Sequence, residues 1–283
     1  MMKKTTILLL LFISSLPWCY AGGGWPQPKG KGYYKIGQNW IISDSFYGPE
    51  GDIVAIRTTA LYTTSFYGEY GITNRLTGIL YFPFFVRNTL NEERYQPSGN
   101  VVPGDEVNAL GDTDVAFKYG LIVNKPVVLS ATLVFGLPIG ETTGGEGQIL
   151  QTGDGEFNQM IKLDVSGSLY PAPLYGSAYV AFNNRTEDFS DEVRYGFEVG
   201  YTFFKKITAI AKLNVVESLY NGKEELSENN GIFSNNTEYV SPMIEIGYAL
   251  NDKWGISGSA GFAFSGKNIL ASPNFGIGVY LKR

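Results

Sequence analysis

The sequence predicts an all-β fold: an antiparallel up-and-down transmembrane β-barrel of about 12 strands, with short periplasmic turns and long extracellular loops. Three observations predict it. Apolar and polar residues alternate over long segments, the connections between segments are alternately long and short, and aromatic residues make up 14% of the chain. Alternating strands joined by unequal connections, with aromatic residues at both interfaces, are typical of barrels that span the bacterial outer membrane.

The chain begins with the features of a secretory signal peptide. Lys3 and Lys4 form a basic start, residues 7–13 form a short apolar core, and Ala21 is a small residue at the expected cleavage position. This core is too short for a bilayer-spanning helix, which needs about 20 apolar residues, and no later run is long enough either. The sequence therefore predicts export without a transmembrane helix.

Cys19 is the one cysteine of the chain. A lipoprotein anchor at Cys19 is disfavoured because Trp18 stands where a small residue is expected, so Cys19 should be removed with the signal. The predicted organisation is a signal peptide at 1–21, an N-terminal periplasmic tail or partial plug at 22–31, and an outer-membrane β-barrel at 32–283.

The predicted strands alternate with a period of two residues, which places successive side chains on opposite faces. Most are too long for a soluble sheet, whose strands average about 5–6 residues, and suit a tilted membrane strand of about 9–11. The twelve segments are 32–43, 57–72, 75–88, 112–123, 126–139, 157–170, 174–184, 193–204, 206–217, 237–250, 253–265 and 271–282.

The connections between these segments are of two kinds. Those after the odd-numbered segments are mostly long, as in 89–111 and 140–156, whereas those after the even-numbered segments are short, as in Thr73-Asn74 and Asn251-Asp252. Because short turns face the periplasm and long loops face outward in outer-membrane barrels, an even strand number places both chain ends on the periplasmic side.

A loose motif occurs four times, at 69–78, 118–128, 198–209 and 245–257. Each copy has a charged residue, then a glycine and an aromatic residue, just before a short turn. Alternation directs the aromatic residues to the lipid headgroups and the charged residues to the lumen. The aromatic residues are Tyr70, Tyr119, Tyr201 and Tyr248, and the charged ones are Glu69, Lys118, Glu198 and Glu245.

Charges of both signs are predicted to line the lumen. They could form ion pairs that close the lumen and hold the strands together, or a constriction that selects solutes by charge and shape. The alternation shows only which side chains face the lumen, so it leaves both interpretations open. The candidates for a lumen constriction are Lys35, Glu69, Asp114, Lys118, Lys162, Asp164, Glu198, Lys212 and Glu245.

The N-terminal tail contains four glycines, two prolines and Trp25. Proline and glycine disfavour a strand there. We expect Trp25 to tuck into the periplasmic mouth as a plug, against an arc of small residues that face the lumen; the alternative is a disordered leader. The arc consists of Gly247, Gly255, Ser257, Ser259, Gly261, Gly276 and Gly278.

The extracellular loops are acidic, since they hold 19 of the 27 acidic residues. This charge could serve solvation, or it could bind divalent cations that bridge to lipopolysaccharide or repel anionic solutes. Nucleic acid is not an expected partner because the isoelectric point is about 5.0. The expected partners are outer-membrane lipids, lipopolysaccharide, a small-molecule solute and the barrel-assembly machinery, for which Tyr280 is the aromatic residue nearest the end.

The chain contains no histidine, which removes the usual activator of serine or water in hydrolases. The stretch 152–157 lacks the oxygen ligands of a calcium loop, and the glycine-rich 144–148 precedes no helix that could bind phosphate. We therefore expect a protein that is not an enzyme, with no catalytic residue, no metal site and no cofactor.

Three stretches resemble a known family. They are GGGWPQPKGKGYYKIGQNW (22–40), NALGDTDVAFKYGLI (108–122), and FGLPIGE (135–141) followed by TGDGEFNQMIKLDVSGSL (152–169). Together they are similar to the outer-membrane transporters assigned to the meta-pathway of phenol degradation. The resemblance implies a β-barrel that passes small hydrophobic or aromatic molecules, and it transfers no binding residue to this chain.

Two functions remain open from the sequence. One is an outer-membrane channel or transporter for small molecules, hydrophobic or aromatic ones if the resemblance holds. The other is a structural or surface-interaction barrel with a closed, salt-bridged lumen. Residues that face inward are small along one side of the predicted lumen, which favours open space; this arc could be a pore wall or a bed for the N-terminal tail.

Overall fold

The alternating segments form the wall of a barrel in the computed structural model, which describes residues 23–223 and 231–283. The strands are β1 (Gly32–Tyr47), β2 (Ile53–Gly71), β3 (Leu76–Leu90), β4 (Glu93–Arg94), β5 (Val101–Val102), β6 (Asp105–Ala109), β7 (Thr113–Ile122), β8 (Val127–Leu137), β9 (Asn158–Ser168), β10 (Leu174–Arg185), β11 (Glu192–Phe203), β12 (Ile207–Ser218), β13 (Glu238–Ala249), β14 (Trp254–Gly261), β15 (Ser265–Lys267), β16 (Ile269–Leu270) and β17 (Asn274–Lys282). A single 3-10 turn at Gly231–Phe233 precedes β13.

The described strands confirm the predicted fold class, a closed antiparallel barrel of twelve long strands. Each strand pairs with the next along the chain, and β17 pairs with β1 to close the ring. The short strands extend the outer end: β6 pairs with β3, β15 with β13, and β16 with β1. Because the ring is closed, no long strand has an unpaired edge. Unpaired backbone N–H and C=O groups at such an edge would be very unfavourable within a bilayer.

The period-two pattern divides each strand between lipid and lumen. In β11, Phe197 and Val199 are 57% and 51% exposed on the outer face, whereas Glu192 is almost fully buried on the inner face. The four tyrosines of the repeated motif, Tyr70, Tyr119, Tyr201 and Tyr248, are also exposed outward beside short turns. The outer face is therefore an apolar band that ends in an aromatic belt at the periplasmic side.

The short turns close without glycine. At the turn between β11 and β12, Phe204 and Lys205 both adopt positive φ angles, of 49° and 58°. Two successive residues with positive φ match the twist of the flanking strands, as in a type I′ turn. Asn124, in the turn between β7 and β8, also has a positive φ of 57°. These tight turns correspond to the short connections that the sequence predicts for the periplasmic end.

Strand bounds differ from prediction at the hairpin of β14 and β17. We predicted 253–265, but β14 ends at Gly261, whose partner on β13 is Met243. The next residue on β13 is Pro242, which has no N–H to donate to the ladder. Beyond that point the chain after β14 continues as β15, which pairs with β13, and the chain before β17 forms β16, which pairs with β1. The two sides of the hairpin of β14 and β17 therefore separate.

Loop 138–157, between β8 and β9, folds inward at the outer end. Arg185 is 5% exposed and pairs there with Asp154 at 2.9 Å, Glu156 at 2.7 Å and Glu192 at 2.9 Å. Burial raises the pKa of Asp154 to about 6, although Arg185 lowers it. The folded loop therefore favours the protonated acid, and its cost in stability grows as the pH rises from about 4 to 6.

The predicted signal peptide and residue 22 lie outside the described residues, as do the acidic residues Glu224, Glu225 and Glu228. Within the described ranges, no helix is long and apolar enough to cross a membrane. The barrel of the predicted organisation begins at Gly32, the first residue of β1.

We expect the protein to be heat-modifiable on detergent gels. A closed ladder of interstrand hydrogen bonds resists detergent until the sample is boiled, so the unboiled protein should migrate faster than the boiled one. Electrophoresis of paired samples checks this. Identical mobility of the two samples, together with a helical circular-dichroism spectrum, would contradict the barrel.

Candidate functional site: a partly occluded lumen

The N-terminal segment, residues 23–31, lies inside the periplasmic half of the barrel. At its base Gly30 and Lys31 exchange backbone hydrogen bonds with Gly71 at 2.8 and 2.9 Å. Further in, the backbone N–H of Gln27 donates to Thr77 Oγ1 at 2.7 Å, and Gln27 Nε2 donates to Glu69 Oε2 at 2.8 Å. The segment therefore leaves β1 and crosses the lumen past β2 and β3.

The far end of the segment reaches β9 and β10. The N–H of Gly24 donates to Ser166 Oγ at 2.8 Å, and Lys118 Nζ donates to the carbonyl of Gly23 at 2.8 Å. The ring of Trp25 meets the edge of Tyr175 at a centroid distance of 5.8 Å. The expectation that Trp25 packs against the glycine and serine arc is wrong, because Tyr175 lies on β10, away from that arc.

Small residues on both sides allow this close approach. A Cβ at Gly71 would overlap the carbonyls of Pro28 and Gln27, and a Cβ at Gly23, whose φ is +78°, would overlap Ser177. Proline suits the segment too, since its missing N–H leaves no donor to satisfy inside the lumen.

The segment covers one half of the lumen wall. Polar side chains beneath it are almost completely buried, among them Glu69, Lys118 and Asp164 at 4%, 5% and 1% exposure. Two ion pairs hold these charges: Lys118 with Glu69 at 3.8 Å and Lys162 with Asp164 at 2.9 Å. A buried charge needs such a partner, and the burial of these pairs shows that the segment fills much of this half of the lumen.

The other half contains a network of ion pairs, which we call the clamp. Glu245 accepts from Lys35 at 2.8 Å and from Lys212 at 3.0 Å, and Lys212 also lies 3.5 Å from Glu198. Tyr175 OH donates to Glu198 at 2.7 Å. Because Tyr175 also contacts Trp25, the clamp and the N-terminal segment share a side chain.

Beside the clamp is a cavity of about 320 Å³, the inner chamber. Part of its wall is formed by the predicted small residues on the strands between Lys35 and Glu245, including Gly247, Ser257, Ser259, Gly276 and Gly278. Tyr33, Tyr67 and Tyr280 add rings, with Tyr33 and Tyr280 stacked at 5.6 Å. The cavity exists because glycine and serine leave space that larger side chains at these positions would fill.

A second cavity of about 320 Å³, the outer chamber, lies nearer the extracellular end. Most of its lining is apolar, which the alternation of the wall strands did not predict, because part of it comes from the loop before β13. Its lining includes Ile41, Leu61, Ile232, Phe233, Met243, Ile269 and Leu270.

The nine charges predicted for the constriction therefore fall into separate groups instead of one ring. Lys35, Glu198, Lys212 and Glu245 form the clamp, and Glu69, Lys118, Lys162 and Asp164 lie at the covered half. Asp114 lies apart near the outer end of β7, with Tyr81 and Gly136 as its cross-strand neighbours.

Sequence reasoning did not identify Gln27, Tyr67 or Tyr175. Each of these side chains donates a hydrogen bond to a carboxylate of the predicted constriction, either Glu69 or Glu198. Tyr67 OH donates to Glu69, and Tyr175 OH donates to Glu198. Tyr175 could have been found from its register: it lies opposite Gly200, and a cross-strand aromatic residue often covers a glycine.

Glu245→Gln should shift the protein toward anion selectivity if the clamp borders a conducting path. The change leaves Lys35 and Lys212 with Glu198 alone, so cations lose their attractive site. We expect the anion-to-cation permeability ratio, measured from the reversal potential in a salt gradient, to rise severalfold. Glu146→Gln, in an exposed outer loop, is the control. An unchanged ratio in both variants would place the clamp outside the ion path.

By sequence, no known protein family and no curated protein matches the chain. The resemblance to the phenol meta-pathway transporters therefore finds no support at the family level. Structural similarity is clear: the COG4313 outer membrane channel from Pseudomonas putida F1 superposes with a TM-score of 0.62 at 14% identity, over 93% of this chain and 98% of that one. The NanC porin superposes with a TM-score of 0.53 at 10% identity, over 88% of this chain and 100% of that one. At these identities the likeness shows the fold, and this chain has the fold of outer-membrane channel and porin β-barrels.

Proposed function

We propose that the protein is an outer-membrane channel for small hydrophobic or aromatic molecules. The observation that carries this proposal is the arrangement of the two chambers, an apolar one nearer the outside and a polar one nearer the periplasm. They follow each other along the same strands. On β1, Ile41 lines the outer chamber and Asn39 the inner one; on β17, Asn274 lines the outer and Gly276 the inner.

The outer chamber suits a small apolar solute. An apolar cavity of about 150 Å³ is enough to bind benzene, and the outer chamber encloses about 320 Å³. Met243 gives an adaptable wall, and Phe233 offers a ring for stacking. A compound with one or two aromatic rings therefore fits, and Asn274 or the Nδ2 of Asn214, whose Oδ1 accepts from Tyr179, could bind a hydroxyl group.

The inner chamber would set the rate of passage. Its cross-section is reduced on one side by the N-terminal segment and on the other by the clamp. A solute that leaves the apolar chamber meets paired charges and tyrosine rings, which bind it weakly enough for release into the periplasm. Binding that is favourable at entry and weak at exit is what conduction requires.

A closed structural barrel is the second candidate function. The observation that favours it is the pairing of all four clamp charges, since a satisfied network rigidifies the lumen. The same network leaves the inner chamber open beside it, which a purely structural role does not need.

Binding of 4-fluorophenol to the purified protein, followed by fluorine NMR, tests the channel proposal. We expect saturable binding that unlabelled phenol displaces. Met243→Gln places a polar amide in the outer chamber and should weaken binding about three- to tenfold, since about 1 kcal/mol of apolar burial is lost.

Met160→Gln is the matched control, because Met160 faces inward on β9 outside the lining of both chambers. Equal loss of binding in the two variants, or no saturable binding in the parent, would contradict the apolar solute. A parent that in addition shows no conductance in planar bilayers would favour the structural barrel.

A further inference from the structure

The periplasmic end of the barrel carries a rim of exposed cations. Its members lie on the short turns: Arg75 between β2 and β3, Lys125 between β7 and β8, Lys205 and Lys206 between β11 and β12, and Lys253 between β13 and β14. Lys29, Lys31 and Arg283 are exposed at the same end. Asp252 is the one acidic residue on these turns, so the rim is strongly positive.

These cations have no acidic partner within the described part of the chain. The outer end is different, because most of its basic side chains pair with carboxylates, and Arg57 donates to the backbone carbonyls of Asn91 and Pro103. Arg87 pairs with Glu106 at 2.5 Å, Arg94 with Glu92 at 2.6 Å and Lys267 with Glu238 at 3.1 Å, and Lys223 pairs with Asp188. Among the described residues, basic side chains without a carboxylate partner are therefore concentrated at the periplasmic end.

The rim lies at the depth of lipid headgroups. Lys253 directly precedes Trp254, which is 46% exposed, and Lys205 directly follows Phe204, which is 89% exposed. Tyr70 and Tyr119 mark the same level on β2 and β7. Aromatic rings of this kind settle at the membrane interface, and long basic side chains bend toward phosphates at that level.

We propose that the rim binds the phosphates of anionic phospholipids in the periplasmic leaflet. Each basic side chain close to an anionic leaflet contributes about 1 kcal/mol. The cations are spread over turns around the barrel next to lipid-facing rings, as an annulus of lipid requires. A soluble polyanion such as a cell-wall polymer would fit a compact patch directed away from the membrane better. The inference does not depend on whether the lumen conducts.

Quenching of Trp254 by brominated lipids tests the inference. In a Trp25→Phe, Trp40→Phe background, Trp254 is the remaining tryptophan of the barrel. The protein is reconstituted in phosphatidylcholine vesicles that contain brominated phosphatidylglycerol or brominated phosphatidylcholine. We expect the relative binding constant at Trp254 to favour phosphatidylglycerol about fivefold, as about 1 kcal/mol implies, and to fall toward unity in high salt.

The variant Lys205→Gln, Lys206→Gln, Lys253→Gln should abolish this preference. The matched variant Arg57→Gln, Arg94→Gln, Lys223→Gln removes three cations from the outer end and should retain it. Heat-modifiability verifies folding, and Lys253→Gln alone replaces the triple variant if that one does not fold.

Three results would overturn the inference. They are equal binding of the two lipids by the parent, an undiminished preference in the rim variant, and an equal loss in the outer variant. The rim would instead belong to a cell-wall site if the parent binds purified peptidoglycan, and the rim variant loses this binding but keeps the lipid preference of the parent.

Discussion

Val199→Arg should prevent most of the protein from assembling in a bilayer. Val199 lies on the lipid face of β11 between Phe197 and Tyr201, and its side chain is 51% exposed. Arginine on this face costs about 2–4 kcal/mol at the midplane of a barrel and less toward the interface. Against a net stability of about 5–15 kcal/mol, such a loss lowers the folded yield substantially.

The measurement is the fraction of protein that acquires the heat-modifiable band after folding into lipid vesicles. The control has to place the same charge on the lumen face. Ser257→Arg does so, because Ser257 lines the inner chamber, where water is available to the guanidinium group. Similar folding yields for the two variants would show that the face assignment is wrong.

Gly200, the neighbour of Val199, would be a poor control. A Cβ at Gly200 would overlap the ring of Tyr175, which lies across it from β10. The same relation recurs where Tyr280 covers Gly255 and Tyr179 covers Gly196. Glycines on the lumen face therefore include positions covered by a ring, and a substitution there alters packing as well as polarity.

The wall of the barrel could be predicted from the sequence because it depends on local rules. Period-two alternation fixes which face each residue occupies, and turn composition fixes where the strands end. The predicted segment 193–204 corresponds to β11 at Glu192–Phe203, and 174–184 to β10 at Leu174–Arg185. The main departure, at β14, follows from Pro242 on the neighbouring strand.

The contents of the lumen were harder to predict because they depend on contacts across the barrel. The period-two alternation predicts that Lys35, Lys212 and Glu245 face the lumen, but it does not predict which of these side chains contact each other. Lys35 and Glu245 are 210 positions apart in the chain and still form a hydrogen bond at 2.8 Å. The same limit explains why the sequence predicted the wrong side of the lumen for Trp25.

Removing the N-terminal segment should raise the single-channel conductance, roughly by a factor of two, because conductance follows the open cross-section of a pore. The segment covers the half of the lumen formed by β2, β3 and β7–β10, where Gln27 binds Glu69 and Thr77, and Gly24 binds Ser166. Heat-modifiability should be unchanged, since the ladder from β1 to β17 does not include residues 23–31.

Point variants separate the segment's contacts from its length. Trp25→Ala removes the ring contact with Tyr175, and Gln27→Ala removes the hydrogen bond to Glu69. Both should raise the conductance less than the deletion does, because the remaining bonds still hold the backbone in the lumen. Lys29→Ala, at an exposed position near the base, should have no effect.

Planar bilayer recordings of the parent, the deletion of 22–31 and the three point variants provide the measurement. A deletion that conducts like the parent would mean that the segment does not restrict the path, although it lies in the lumen. If neither the parent nor the deletion conducts, the channel itself is refuted, and the paired charges of the clamp are then better explained as the interior of a structural barrel.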